Sequence, residues 1–265
     1  MPRLSQSTYT VVFAAVVCVI CAVLVAGAAV SLRERQAANE ELDRQKNVLM
    51  AAGEMRVGEV LTPEQVTERF AVFQPVAIDL RTGDEDAAFA VAGYDQQGAL
   101  SNPQTSYAAP QNLAQVTRLP NRALAYKRLD GEGRLDMLVL PIEGKGLWST
   151  MYGFLALDKD LKTVRGLTFY QHGETPGLGG EIDNPRWKAA WVGREPFDER
   201  GVPVMRVIRG RAGPPEQDPH RMDGISGSTI TGRGVEHTIN FWLGDHGFGP
   251  YLQQMKGGAS GPEGS

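Results

Sequence analysis

The sequence has very little cysteine: only Cys18 and Cys21 occur in 265 residues. Its absence from the rest of the chain excludes a disulfide scaffold, a cysteine-ligated structural zinc site and a cysteine-ligated iron–sulfur cluster there. The two cysteines have the CxxC spacing, which can bind metal or cycle between redox states. No third or fourth ligand accompanies them, so they are interpreted as small apolar residues of the segment that contains them.

Positive charge is also in short supply. Lys and Arg number 27 against 31 Asp and Glu, which gives a formal net charge of −4. No basic block is present to neutralise phosphates, and this argues against a nucleic-acid partner. The length fits one large domain or two small ones, and the charged fraction of 22% is ordinary for a globular protein.

Polar side chains are missing altogether between residues 11 and 30, which read VVFAAVVCVICAVLVAGAAV. Twenty helical residues rise about 30 Å, the thickness of a bilayer's hydrocarbon core. A cleaved signal peptide is the alternative, and AGA at 26–28 resembles a cleavage site. The apolar run is longer than such segments usually are. The sequence therefore predicts an uncleaved transmembrane helix at 11–30 after an N-terminal tail at 1–10.

Charge counting does not orient this helix. Arg3 precedes the span, whereas Arg33, Arg35, Arg44 and Lys46 follow it, which by loop counting places the C-terminal side in the cytoplasm. Four acidic residues are interleaved with these bases, and a long domain can be translocated whatever its flanking charge.

The rest of the chain is predicted to form one α+β domain with a largely antiparallel sheet and flanking helices. A juxtamembrane helix is expected at 31–53, followed by the domain at 54–256 and a flexible tail at 257–265. Within the domain, the polar, turn-rich stretch 81–111 is interpreted as a surface insertion. Short helices are predicted at 62–70 and 184–192, and strands at 123–129, 134–142, 151–158, 163–172 and 203–209.

The stretch MDGISGSTITGRGVEHTINFWL, residues 222–243, joins a hydroxyl-rich segment to a helix. Val235, Ile239, Trp242 and Leu243 recur at helical spacing, so the helix is expected to start near Thr229. The first backbone N–H groups of a helix are unpaired and attract phosphate.

A plain N-cap is the alternative to a phosphate site, but a cap needs one hydroxyl. Here Ser226, Ser228, Thr229 and Thr231 lie within six positions and Asp223 precedes them. Glycines at 224 and 227 allow the close backbone approach that an anion needs. The excess of hydroxyl groups favours the phosphate interpretation.

The segment DGISGST resembles the flavinylation motif D-g-x-[ST]-G-A-T of the FMN-binding domain family. The matching positions are Asp223, Gly224, Ser226, Gly227 and Thr229, and Ser228 replaces the usual alanine. In that family the last threonine holds FMN through a phosphoester bond, so the resemblance implies covalent FMN on Thr229.

The resemblance extends over most of the chain. KGLWSTMYGFLAL (145–157) and HGETPGLGGEI (172–182) are similar to segments of the C subunit of the Na+-translocating NADH:quinone reductase. The membrane span, RQKNVLMAAG (44–53) and VAIDLRTG (76–83) are similar too. The short flavinylation motif is shared with the related G subunit of the Rnf complex.

The resemblance also implies further contacts with FMN. Glu174, Thr175, Leu178 and Gly179 are expected beside the flavin, and Trp148 either covers its ring or fills the core. The remaining expected cofactor contacts are Ser226, Gly227, Ser228, Thr231 and Asp223, and Asp223 is also expected to help a flavin transferase recognise the site. No catalytic residue and no metal ligand is expected in this chain.

By this resemblance, the chain is an electron-transfer subunit that passes electrons toward quinone in a sodium-exporting complex of the bacterial inner membrane. Its partners are the other subunits and, during maturation, a separate flavin transferase. The soluble domain is expected in the periplasm, and no turnover is expected from this chain alone. An Rnf-type G subunit is one alternative. A membrane-anchored scaffold or binding module without flavin is another.

Overall fold

The computed structural model describes residues 6–56 and 58–258. It contains two compact units, Met1–Arg44 and Gln45–Ser265. In chain order the helices are α1 (Gln6–Ala51), α2 (Pro63–Phe70), α3 (Gln96–Leu100), α4 (Pro185–Ala189), α5 (Thr229–Leu243) and α6 (Gly249–Gly258), with a 3₁₀ turn at Gly179–Asp183. The strands are β1 (Phe73–Ile78), β2 (Ser106–Ala108), β3 (Arg118–Pro120), β4 (Ala123–Leu129), β5 (Leu135–Lys145), β6 (Thr150–Asp158), β7 (Val164–Gln171), β8 (Arg206–Val207) and β9 (Arg221–Met222).

Helix α1 contains the predicted span. Its stretch Thr8–Arg33 has a mean hydropathy of 3.0, long and apolar enough to cross a membrane by length and composition. The predicted juxtamembrane helix is not separate but continues the same helix to Ala51. Gly53 follows in the left-handed region, at φ +76°, where glycine is the favoured residue. Residues 6–10 of the predicted N-terminal tail are helical, and residues 1–5 lie outside the described residues.

A five-stranded sheet forms the centre of the second unit, in the order β1–β4–β5–β6–β7. Each pair of neighbouring strands in this sheet is antiparallel. The mixed α/β architecture with an antiparallel sheet is the predicted one, and the strands predicted at 123–129, 134–142, 151–158 and 163–172 correspond to β4 to β7. The predicted strand at 203–209 is only the two-residue β8, which pairs with β9 in parallel.

Strand β1 was not expected from the sequence. It lies at the edge of the sheet, where it pairs with β4 and makes one isolated bridge on its other side, between Ile78 and Glu85. Pro75 in its middle lacks an N–H group, and an edge strand tolerates this loss where its outer side has no neighbouring strand. The helix before it, α2, matches the predicted segment 62–70 and starts with a complete capping box between Thr62 and Gln65.

The stretch 81–111 contains more structure than the predicted surface insertion. It includes α3 and β2, and β2 pairs with β3. Arg122, just before β4, binds Asp79 at 2.6 Å and Asp86 at 2.7 Å, while the Tyr94 hydroxyl donates to its carbonyl at 2.8 Å. These bonds hold the stretch against one end of the sheet.

One face of the sheet packs on α5. Leu138, Leu140 and Ile142 of β5 share a core with Val235 and Ile239 of α5. The indole Nε1 of Trp242 donates to the Glu143 carbonyl at 2.7 Å. This packing fixes the N-terminus of α5 beside the β5–β6 hairpin and the loop after β7. Of the predicted tail at 257–265, two residues belong to α6 and residues 259–265 lie outside the described part.

Candidate functional site at the start of α5

The hydroxyl-rich segment lies where the sequence predicts, directly before and within the first turn of α5. Gly227 has φ +72°, a backbone conformation that L-residues rarely adopt. A Cβ atom at this position would lie 2.8 Å from Cδ2 of Leu178. Gly227 therefore allows both the turn into the helix and the close approach of the loop after β7.

Ser228 occupies the N-cap position of α5 but does not cap the helix. Its side chain accepts no backbone N–H group of the first turn. Within the described residues, the backbone N–H groups of Thr229, Ile230 and Thr231 have no acceptor, and the first helical bond is donated by Gly232 to the Ser228 carbonyl at 3.1 Å. Three donors and the positive end of the helix dipole therefore remain available to an anion.

Thr229 lies where two adjoining clefts meet. The first has a volume of about 390 Å³ and the second about 380 Å³. Both are lined by Val207, Ile208, Arg209 and Thr229. The Thr229 side chain is exposed to solvent, so its hydroxyl can be reached from outside.

Arginines surround these clefts. Arg209 and Arg211 line the first cleft, and Arg206, Arg209 and Arg233 line the second. Arg206 is paired with Glu236 at 3.1 Å, whereas no ion pair is recorded within the described residues for the other three. The sequence reasoning missed this cluster because it assigned residues 203–209 to a strand. A recognisable signal was present, namely three arginines in the six residues 206–211.

A buried carboxylate connects α5 to the two neighbouring loops. Glu174, only 5% exposed, accepts the Thr231 hydroxyl at 2.5 Å. It also accepts the backbone N–H groups of Leu147 at 3.2 Å, Trp148 at 2.9 Å and Ser149 at 3.4 Å. Burial raises the pKa of Glu174, but the bonds from Thr231 and these amides outweigh burial and leave the pKa below its usual value. Glu174 is therefore ionised at neutral pH, and its oxygens are engaged by protein donors.

Large apolar side chains are exposed around the same helix end. Trp148 is 65% exposed, Ile230 57%, Leu178 44% and Leu147 42%. Trp148 therefore does not fill the core, which was one of its two expected roles. None of the four lines either cleft, but exposed apolar side chains near a candidate anion site can contact the apolar part of a ligand. We call these four residues the apolar rim.

Asp223 has a structural function in the site. Its carboxylate accepts the Ala212 N–H at 2.8 Å, and its carbonyl accepts the indole N–H of Trp187 at 3.0 Å. The Gly224 N–H donates to the Gly210 carbonyl at 2.8 Å. These bonds hold the arginine-bearing loop beside the start of α5.

The remaining predicted residues lie around the same helix end. Ser226 is exposed and lines the first cleft. Gly179 is buried, and a Cβ atom there would lie 2.6 Å from Oγ1 of Thr231 and 2.7 Å from Oε2 of Glu174. Thr175 is exposed, and its carbonyl accepts the N–H groups of Leu178 at 3.1 Å and Gly180 at 2.9 Å. Neither cleft includes Thr175 among its lining residues.

The arrangement fits a phosphorylated aromatic ligand. Free N–H donors and nearby arginines suit a phosphate, and the apolar rim suits a flat ring. Among the described residues, no group of three or more His, Cys, Asp or Glu side chains could hold a metal ion.

A family match gives the class of this site, a domain that binds flavin mononucleotide. The family model described as "FMN-binding domain" matches residues 146–244, a range that contains the loop between β5 and β6, the strands β6 and β7, the loop after β7 and all of α5.

Relatives that match nearly the full chain identify a narrower family. The chain is 44% identical over 256 residues to the C subunit of the Na(+)-translocating NADH-quinone reductase of Yersinia pestis, covering 94% of this chain and 93% of that one. It is 41% identical to the C subunit of the same enzyme of Pseudomonas aeruginosa, covering 97% and 99%. This chain therefore belongs to the family of C subunits of the Na+-translocating NADH-quinone reductase.

Solved structures agree with this assignment. The crystal structure of Shewanella oneidensis NqrC has a TM-score of 0.75 and 36% identity, and covers 84% of this chain and 99% of that one. The C subunit of the Parabacteroides distasonis reductase, at 22% identity and a TM-score of 0.64, has the same fold.

Proposed function

We propose that this chain carries FMN as a covalent phosphoester on Thr229 and serves as an electron-transfer subunit of a Na+-translocating NADH:quinone reductase. The observation that carries the proposal is the uncapped first turn of α5, whose first residue is the exposed Thr229. Membership of this family of reductase subunits and the match to an FMN-binding domain support it.

Thr229 supplies the oxygen of the ester. The N–H groups of the first turn of α5 would hold the phosphate, together with Arg209 and Arg211 of the first cleft. Hydrogen bonds from backbone N–H groups and a helix dipole both stabilise a phosphate diester, which keeps one negative charge. Trp148 and Leu178 of the apolar rim would contact the flat ring. When bound, FMN supplies the redox chemistry by which the subunit relays electrons toward quinone.

Attachment requires a second protein. In the attachment reaction the Oγ–H bond of Thr229 breaks and an Oγ–P bond forms. The phosphorus comes from a flavin nucleotide whose phosphate is joined through an oxygen to a second phosphate. The P–O bond of this bridge breaks, and the second phosphate leaves with the bridging oxygen and takes up the proton. Glu174, the buried carboxylate nearest the helix end, is held by protein donors and is unsuited to act as the base. A separate flavin transferase therefore supplies the general base.

A covalent bond suits a domain outside the cytoplasm, where lost FMN cannot be replaced from the cell's pool. We place the apolar helix in the bacterial inner membrane and the soluble domain in the periplasm, in contact with the other subunits. A reporter that is active only in the periplasm, fused after residue 265, tests this orientation. A reporter active only in the cytoplasm at the same position serves as the control, and its activity there would reverse the placement.

The decisive experiment for the flavin is the mass of the chain produced with an active flavin transferase. We expect the tryptic peptide 222–233, MDGISGSTITGR, to be heavier by one FMN less one water. Fragmentation should localise the mass to Thr229 among the four hydroxyls of that peptide. An unmodified peptide, while a known flavoprotein substrate in the same cells is modified, contradicts the proposal.

Fluorescence in a denaturing gel separates the proposal from the alternative of another class. A covalent flavin stays with the chain after the protein has been unfolded in detergent, whereas a scaffold without flavin gives a dark band. A chain made without the transferase is the matched control and should also be dark.

A further inference from the structure

The N-cap residue of α5 is held in a hydrogen-bond chain that points away from the helix end. Oγ of Ser228 lies 2.8 Å from Oγ1 of Thr231, and Oγ1 of Thr231 lies 2.5 Å from Oε2 of Glu174. An ionised carboxylate can only accept, so Thr231 must give its single hydroxyl proton to Glu174. Ser228 is then the donor to Thr231, so Glu174 sets the direction of both hydrogen bonds.

The geometry of a capping serine differs from this arrangement. A capping side chain accepts the backbone N–H of the second or third helical residue. Thr231 is the third residue of α5, yet Ser228 binds its hydroxyl and not its N–H. Ser228 is 5% exposed and Thr231 is fully buried, so water does not compete for either hydroxyl.

Glu174 is itself fixed independently of α5. Three consecutive N–H groups of the β5–β6 hairpin, those of Leu147, Trp148 and Ser149, bind its oxygens. Because the hairpin holds the carboxylate, Thr231 and Ser228 are drawn toward it and not toward the amides of their own helix.

We propose that Glu174 is a positioning residue for the phosphate site. Acting through Thr231, it keeps the Ser228 hydroxyl from capping α5, so that the N–H groups of Thr229, Ile230 and Thr231 stay available to the phosphate of a flavin nucleotide. The inference rests on the function proposed above. The Ser228 hydroxyl would otherwise compete with the phosphate for these N–H groups, and its bond to Thr231 prevents this.

Glu174→Gln in the full-length chain tests the inference. The Gln side chain presents an NH₂ group to donors, so it cannot accept from Thr231 and from all three amides. Ser228 is released and caps the helix. We expect flavin attachment to be about five-fold slower at a fixed transferase concentration, the competition expected from one capping hydrogen bond. In the chain made without transferase, exchange of the Thr231 N–H should slow by a similar factor.

A double variant distinguishes this positioning role from a general loss of structure. Glu174→Gln combined with Ser228→Ala has no hydroxyl left to cap the helix, so attachment should return to near the wild-type rate. Thr231→Val provides a second route. It breaks the chain but leaves Glu174 bound to the hairpin, and we expect the same defect and the same rescue by Ser228→Ala.

Glu181→Gln is the matched control, because Glu181 binds Asn184 at 2.7 Å and has no recorded bond to α5. Its attachment rate should equal that of the wild type. If the wild-type chain takes up no flavin, the proposed function fails. If the wild type is modified but Glu174→Gln attaches flavin at the wild-type rate, or Ser228→Ala rescues neither variant, the positioning role is wrong.

Discussion

Two helices of this domain have a hydroxyl residue at the N-cap position, and this residue caps one helix but not the other. At the start of α2, Oγ1 of Thr62 accepts the Gln65 N–H at 3.4 Å, and Oε1 of Gln65 accepts the Thr62 N–H at 2.9 Å. At the start of α5, Ser228 occupies the same position and satisfies no backbone donor. A sequence pattern that reads as a cap therefore has two structural outcomes within one chain.

The neighbours of each helix explain the difference. The first turn of α2 is exposed, so nothing but its own side chains and water can satisfy its donors. The first turn of α5 lies beside Glu174, which is held by a neighbouring hairpin and accepts the Thr231 hydroxyl. The capped end contributes stability, whereas the uncapped end keeps its donors for a ligand. The comparison leads to four predictions.

The largest difference in flavin content is expected when a threonine is replaced by valine in each helix. Thr229→Val removes the oxygen proposed to form the ester, so covalent flavin should be lost completely. Thr67→Val in α2 removes a hydroxyl that binds only the Pro63 carbonyl, at 3.0 Å, and flavin content should be unchanged. Fluorescence after denaturing electrophoresis measures both. Flavin retained by Thr229→Val would show that another hydroxyl of the segment accepts it, with Ser228 the nearest.

A second pair compares two glycines with left-handed backbones. Gly53→Ala and Gly227→Ala both place a Cβ atom at positive φ, at 76° and 72°, and each should cost about 1 kcal/mol or more in stability. Only at Gly227 does the new atom also meet Leu178, whereas nothing lies within 4 Å at Gly53. The exposed Leu178 side chain can move aside, so the strained backbone two residues before Thr229 is the main cause of a misplaced Thr229 hydroxyl.

We therefore expect flavin attachment to fall by about ten-fold in Gly227→Ala and to stay unchanged in Gly53→Ala. Chemical denaturation measures the stability, and mass spectrometry measures the attachment rate. Equal attachment in the two variants would mean that the left-handed backbone at Gly227 does not position the start of α5.

The third pair tests the caps themselves. Thr62→Ala removes the acceptor of the Gln65 N–H, so exchange of that amide should be about five-fold faster, the effect of a cap worth about 1 kcal/mol. Ser228→Ala removes no backbone acceptor, so exchange of the Thr229 to Thr231 amides should not change. Amide hydrogen exchange of the flavin-free chain measures both, and faster exchange in Ser228→Ala would identify Ser228 as an ordinary cap.

Much of the fold was predictable because its signals are local. Strands β4 to β7 are apolar segments bounded by turn residues, and the apolar stripe of α5 identified its buried face, with Val235 and Trp242 both buried as expected. Short elements such as α3 and β2 were not predicted. They depend on distant partners, as the bonds of Arg122 to Asp79 and Asp86 illustrate.

The candidate site likewise has a part that the sequence predicts and a part that it does not. The hydroxyl-rich segment and the glycines could be read from the sequence, because they belong to one continuous motif. The bond from Thr231 to Glu174 joins residues 57 positions apart, and the clefts include Arg209 and Arg211 only because β8 pairs with β9. Sequence spacing carries no information on such contacts until the fold brings the segments together.

The smallest predicted effect concerns acid. The pKa of Glu174 is lowered in the folded chain, because bonds from Thr231 and the hairpin amides outweigh the effect of burial. A carboxyl with a lowered pKa stabilises the fold above its ordinary pKa of 4.5, and this contribution is lost as pH falls through the folded value. At α2, Glu64 also has a lowered pKa, from its own backbone N–H and the Thr62 hydroxyl, but it is exposed and screened by solvent.

Acidification below pH 4.5 should therefore loosen the start of α5 before it affects α2. Exchange of the Leu147, Trp148 and Ser149 amides, corrected for the intrinsic effect of pH, should accelerate on acidification, while the Gln65 amide keeps its protection until the domain unfolds. In Glu174→Gln these hairpin amides should show no such transition, since the group that titrates is gone. Hairpin protection that stays constant as the pH falls from about 6 to about 3 in the wild type would mean that Glu174 does not hold the two loops together through its charge.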